Sequence, residues 1–247
     1  MKKAISVLLI LTGFVFAQGF GDLISQADAK HEVDDFSANY ELLKQAEILE
    51  AENYEVVWRL ARAHFDFFDN SEDEAVISEN AYAGLDYAKK ALELDDGRAE
   101  SHKWYGILIG QVGILEGTKQ KILNSYEVKE HTLKAIELDP EDDGNFHVMG
   151  RWHYTLADLS WVERKIAGLI YATPPKASFE EAVEFFTQAH EMLPDEVRHL
   201  LWLAKSEAEL GNKDAAKDAC NAALAITAEN DSDRILQKEA EALLADL

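Results

Sequence analysis

Three stretches of the chain close alike: Ala88-Lys-Lys-Ala-Leu-Glu-Leu-Asp-Asp96, Thr132-Leu-Lys-Ala-Ile-Glu-Leu-Asp-Pro140 and Phe186-Thr-Gln-Ala-His-Glu-Met-Leu-Pro194. Each reads as the end of an amphipathic helix, with an alanine in the apolar stripe and a turn marker after it. From Asp22 onward helix formers recur with apolar residues at a 3.6-residue period, and no sustained alternation argues for strands. The chain is expected to be all-α. Of its 247 residues, 47 are Asp or Glu and 24 are Lys or Arg, giving a net charge of -23. Such a polyanion disfavours nucleic acid, which is bound by releasing counterions to Lys and Arg. Its one cysteine, Cys220, rules out an internal disulfide framework.

The three phrases resemble the second-helix ending of the tetratricopeptide repeat, a 34-residue helix–turn–helix unit. That repeat places small residues at position eight of its first helix and position 27 of its second, where neighbouring helices cross closely. Position 27 falls on Ala46, Ala91, Ala135, Ala189 and Ala223, and position eight on Ala27, Ala61, Gly106, Gly150 and Ala204. Each position-27 alanine precedes the next position-eight residue by 15, as a 34-residue period requires. Within repeats the spacing is 19 in the first and last, but 30, 29 and 39 in the middle three. A tetratricopeptide-like helical-hairpin solenoid follows, with about five repeats (20-51, 54-96, 99-140, 143-194 and 197-228), lengthened middle helices and a C-terminal capping helix over 231-247. Ser71-x-x-Glu74 and Ser178-x-x-Glu181 have capping-box spacing and are expected to restart second helices. Glu116-Gly117-Thr118 is the expected turn in the third repeat. The first repeat is degenerate, because Asn39 stands where alanine is preferred.

Ahead of the repeats, Lys2 and Lys3 precede an apolar run from Ala4 to Phe16 and small residues near Ala17. This reads as a cleavable export signal over residues 1-17, leaving 18-247 as a single domain of charge -25 that is secreted or periplasmic. A run of about 13 residues is short of the roughly 20 that span a bilayer, and no later stretch is long and apolar enough, so no transmembrane segment is expected after signal removal.

The stretch Gly150-Arg-Trp-His-Tyr-Thr-Leu-Ala-Asp-Leu-Ser-Trp-Val-Glu-Arg-Lys-Ile-Ala-Gly-Leu-Ile-Tyr-Ala-Thr-Pro-Pro175 goes beyond generic tetratricopeptide sequence. It resembles the regulator of microtubule dynamics family, with similarity running from about Asn53 to the C-terminus. The resemblance implies a tetratricopeptide architecture and non-catalytic binding; animal members are associated with microtubules and, in one branch, with organelle contacts and lipid binding.

Concave faces of such solenoids are lined by first-helix positions five and nine. Repeats two to five place Trp58 and Arg62, Lys103 and Ile107, His147 and Arg151, Leu201 and Lys205 there, with no acid among them, while the first repeat breaks the pattern with Ile24 and Asp28. With Phe65 and Tyr154 as aromatic walls, this reads as a groove for an anionic ligand or a partner peptide, bound by charge-assisted hydrogen bonds. The same cations alternatively pair with nearby carboxylates of the chain itself. Arg151 and His147 are the leading candidates. Trp161, Leu169 and Ile170 either line an apolar pocket for a lipid or other amphipath, or pack a long helix against its neighbours. A structural subunit of an envelope complex is a third reading. Gly106, Gly110, Gly113 and Gly117 share a helical stripe without phosphate-loop order, so close packing is expected there. The histidines lack metal-ligand spacing and no catalytic constellation completes, so no metal, no cofactor and no enzymatic activity are expected.

Overall fold

The computed structural model describes residues 19–247; the expected export signal lies outside the described residues. Twelve helices and no strand are found among them. They pair as antiparallel hairpins: α1 (Phe20–His31) with α2 (Phe36–Leu49), α3 (Tyr54–Asp69) with α4 (Glu74–Leu94), α5 (Ala99–Leu115) with α6 (Thr118–Leu138), α7 (Asp143–Ala157) with α9 (Phe179–Met192), and α10 (Val197–Glu209) with α11 (Lys213–Ala225). A short α8 (Trp161–Ile170) interrupts the fourth pair, and α12 (Asp231–Asp246) follows the last. The chain is an all-α tetratricopeptide-like solenoid.

The small residues explain the close stacking. Ala27, Ala46, Ala61, Ala91, Ala135, Ala189, Ala204 and Ala223 are all 0% exposed, and Gly106 and Gly150 are buried. A larger side chain at these crossings would push helices apart in an interior already packed at crystal density. Asn39 does not break the pattern so much as use it: buried on α2, its amide donates to the Ala27 carbonyl of α1 at 2.7 Å.

The insertions take two forms. In the third repeat α5 and α6 run to 17 and 21 residues, and in the second α4 runs to 21. In the fourth, α7 stops at Ala157 and the added residues form α8 and an irregular segment through Pro174 and Pro175. Two local features cause this: Ser160 and Glu163 form a complete capping box that starts a new helix, and the prolines lack the N–H a continuing helix needs. Ser178 caps α9 through the backbone N–H of Glu181, whereas α4 is capped by Asp73, and Ser71 instead accepts from the Asp73 N–H. Gly117, at φ 87°, makes the α5–α6 turn.

The array closes on itself. Ser232, at the start of α12, donates its N–H to Asn70 Oδ1 at 2.8 Å and its hydroxyl to Asp69 Oδ2 at 2.7 Å. Asn230 reaches Asp34 at 3.3 Å, Lys238 reaches Glu72 at 2.9 Å, and Arg198 of α10 reaches Asp69 at 3.1 Å. The last two helical layers therefore touch the ends of the first two, and the concave face becomes a cavity bounded by α3, α5, α7, α10 and α12.

Candidate functional site

The cavity has a volume of about 830 Å³. The first helices supply its wall because the helix face around their positions two, five, six, nine and twelve turns toward the superhelix axis. Trp58, Arg62 and Phe65 come from α3, Lys103 and Trp104 from α5, His147, Arg151 and Trp152 from α7, and Arg198 and Trp202 from α10. Five of the seven residues expected to bind a ligand thus share one wall: Trp58, Arg62, Lys103, His147 and Arg151. The other two do not line it. Tyr154 turns aside to pack edge-on against Phe179 and Trp202, at centroid distances of 5.2 and 5.1 Å. Lys205 lies beyond Trp202, its ammonium 4.1 Å from that ring and 2.6 Å from Glu239.

The expected cationic character is corrected by the fold. The first-helix cations do reach the cavity, but other elements bring carboxylates with them: nine Asp or Glu residues line it against five Lys or Arg. Arg62 faces Asp28 at 3.3 Å, and Lys103 is held by both oxygens of Asp142 at 2.6 and 2.8 Å. Arg198 bridges Asp69 and Glu196. Counting only positions five and nine omitted the acids of the inter-repeat turns, Asp139, Asp142 and Asp143, which project into the same space.

Arg151 is different. Its guanidinium stacks 3.7 Å from the Trp202 ring centre, no carboxylate lies at ion-pair distance among the described residues, and its buried Nε has no hydrogen-bond partner. Burial pushes its pKa down to about 10, against the attraction of Asp69, so it remains charged at neutral pH. Trp202 is sandwiched between this guanidinium and the Lys205 ammonium. Sequence reasoning missed Trp202 and Trp104, both at position six. The shared position, with an indole in two successive alternate repeats, was the available signal.

Next to Arg151, His147 is buried with its Nδ1 3.0 Å from Nδ1 of His199, whose Nε2 lies 2.8 Å from Asp143. His199 donates from Nε2 to the carboxylate, and the Nδ1–Nδ1 contact requires a proton on one of the two rings, not both. Burial, then the charges of His199, Arg151 and Arg198, hold the His147 pKa well below its usual value. A group with a lowered folded pKa binds fewer protons folded than unfolded, so stability falls as pH drops below the unfolded value near 6.5. Acidification from pH 6.5 to 5.5 is expected to cost about 1 kcal/mol through this group. Urea unfolding at the two pH values checks it, and His147→Gln should reduce the dependence, leaving the share of His64, His131 and His153, whose pKa values burial also lowers.

The residues expected to form an apolar pocket do not reach this cavity: Trp161, Leu169 and Ile170 are 72%, 85% and 69% exposed. The physical reason is the break at Ser160: a separate short helix presents its apolar side outward instead of extending α7 inward. Three of the four glycines of the third repeat serve packing, since a Cβ on Gly106 would meet Thr132 at 3.1 Å, one on Gly110 would meet Val128 at 3.3 Å and one on Gly113 would meet Lys121 Cα at 3.2 Å, whereas Gly117 has nothing within 4 Å and serves the turn. Cys220 is buried in the α10–α11 core.

Among known proteins, the chain is 40% identical over 230 residues to regulator of microtubule dynamics protein 1 of Mus musculus, spanning 92% of this chain and 74% of that protein. It is 33% identical over 224 residues to regulator of microtubule dynamics protein 3 of Rattus norvegicus, spanning 90% of this chain and 48% of that one. The crystal structure of a thermophilic TPR protein of Thermus thermophilus superposes with a TM-score of 0.65 at 13% identity, over 92% of this chain and 100% of that chain, a likeness of fold. The relatives are named for an action on microtubules, polymers of the cell interior, and this overturns the expectation of a secreted or periplasmic protein. A family model for regulator of microtubule dynamics protein 1-3 matches residues 23–247, and the chain belongs to that family.

Proposed function

We propose that the protein is a non-catalytic binding scaffold that holds a short peptide segment of a partner protein in the closed groove. The observation that carries this is Arg151, a charged guanidinium stacked on Trp202 in the cavity wall with no carboxylate partner among the described residues. A carboxylate of the peptide would complete it with a charge-assisted hydrogen bond, which is stronger than a neutral one. The remaining wall favours a peptide over a small anion. Its excess of carboxylates suits flanking Lys or Arg of the ligand, and Phe65 and Trp104 offer aromatic surface to apolar side chains. A volume of about 830 Å³ lies within the usual range for ligand sites, roughly 300–1,000 Å³. Membership in a family named for regulating microtubule dynamics supports a protein partner and a regulatory role.

The test is selection of binding peptides from a random displayed library against the full chain, followed by calorimetry on a selected peptide. Arg151→Met keeps the length and apolar stem of the side chain and is expected to weaken binding about thirtyfold, the loss of an arginine hot spot of ~2 kcal/mol. Unchanged affinity in a folded Arg151→Met protein would remove the groove assignment. Arg62 is a poorer probe, because its pairing with Asp28 ties it to the α1–α3 contact.

A further inference from the structure

We propose that α8, together with the first turn of α6, is a docking face for an anionic lipid surface. The exposed side of α8 lies outside the groove, which this face adjoins only at its edge, where Ile114 and Lys121 also line the cavity.

Its basis is an inverted helix. Trp161, Val162, Ile166, Leu169 and Ile170 occupy one half of the α8 circumference, and they are 44–85% exposed. The opposite half holds the helix down. Ala167 is fully buried, Glu163 accepts from Thr118 Oγ1 at 3.0 Å, and Arg164 donates to the carbonyls of Leu159 and Ala157, each at 3.2 Å. A soluble helix normally buries its apolar stripe against the core; this one buries its polar side and leaves the apolar side without a partner. Through Thr118 it adjoins the α5–α6 turn, where Ile114 and Leu115 are also exposed.

Charge selects the occupant. The protein carries -23 overall, so an acidic surface repels it almost everywhere. Around α8 the balance reverses. Lys119, Lys121, Arg164 and Lys165 have no carboxylate at ion-pair distance among the described residues, while most other Lys and Arg residues do. The acids nearest in the chain, Glu116, Asp158 and Glu163, keep their charges, Glu116 accepting from the Tyr82 hydroxyl at 3.0 Å and Glu163 from Thr118, but the bases outnumber them. At each end of α8 an ammonium sits by an aromatic ring: Lys165 is 5.7 Å from Trp161, and Lys119 is 5.8 Å from Tyr171. Aromatic rings with long basic side chains are suited to the headgroup level, their apolar parts entering the acyl boundary while the charges stay with phosphates. A convex half-cylinder of exposed apolar side chains also fits a deformable bilayer edge better than a rigid protein surface, and basic amphipathic helices bind membranes in this orientation.

The experiment uses the full chain with Leu169→Cys carrying an environment-sensitive fluorophore. Cys220 is 0% exposed, so labelling is confined to position 169. Vesicles of phosphatidylcholine, with and without phosphatidylserine, are titrated in. The expected result is a blue shift and co-sedimentation with the phosphatidylserine vesicles, weakened by salt. Lys119→Glu/Lys165→Glu is expected to reduce the partition at least tenfold, and Trp161→Ser/Ile170→Ser likewise. These side chains are surface groups, so circular dichroism should be unchanged. All variants share the same N-terminal residues, so the apolar run at Ala4 to Phe16 cannot produce a difference among them. An unshifted label at position 169, or equal partition of parent and variants, would overturn the proposal. So would a shift on mixing that needs no vesicles and grows with protein concentration, because the occupant would then be a second copy of the chain.

Discussion

Gly150→Ala is expected to destabilise the protein by ~2–3 kcal/mol, the cost of overpacking a filled interior. A Cβ at this position would stand 2.6, 2.7 and 2.8 Å from three atoms of the Phe186 ring, below any tolerated contact. The ring has nowhere to go: Phe186 is fully buried on α9 and packs against His147 and Trp202, at centroid distances of 5.1 and 6.3 Å. Relief must come from separating α7 and α9, the pair that frames the fourth repeat, and this shifts the wall that carries Arg151. Urea unfolding gives the size of the loss. Phe186→Leu in the Gly150→Ala background should recover part of it by making room, whereas Phe186→Leu alone should destabilise by leaving a cavity. A double mutant no more stable than Gly150→Ala would show that the close approach of α7 and α9 is not the cause.

Asp69→Ala is expected to cost ~2 kcal/mol and to loosen α12 selectively. The carboxylate accepts from Arg198 at 3.1 Å and from the Ser232 hydroxyl at 2.7 Å, joining α3 to α10 and α12. Hydrogen bonds to charged groups contribute about 1.5–3 kcal/mol. Both side chains of the ion pair are about a quarter exposed, at 24% and 25%, and Arg198 keeps Glu196 as a partner, so the lower part of that range applies. The informative readout is amide hydrogen exchange. Protection should fall in α12 before it falls in α5 or α6, because only the closing contact has been removed. Asp69→Asn retains an acceptor for Ser232 and should fall between the two. Uniform loss of protection along the chain would mean that closure and global stability are one event.

Much of this architecture was legible before any coordinates. The alanines and glycines at positions eight and 27 announced where helices cross, because a close helix contact admits only a small side chain, and that restriction is visible in one dimension. The Gly117 turn and the Ser178 cap were legible for the same kind of reason, each being a local backbone requirement met by a local residue type. Even Trp58, Arg62, Lys103, His147 and Arg151 could be assigned to one wall from repeat register alone.

What the register did not carry was the company those residues keep. Asp28 beside Arg62 and Asp142 beside Lys103 come from neighbouring repeats, and their pairing converts an apparent basic stripe into a cavity with more acids than bases. The fate of α8 was likewise undecided, since an apolar face reads the same whether it meets a core or solvent. The local sequence from Asp22 onward determined an array of helical hairpins, because helix periodicity and small-residue contacts are short-range requirements. Only the tertiary structure decided that the array closes through Asp69, that Arg151 alone among the predicted site cations lacks a carboxylate partner, and that Trp161, Leu169 and Ile170 face outward. Those outcomes depend on which charges and surfaces meet across repeats, and that is set by the superhelical path of the whole chain.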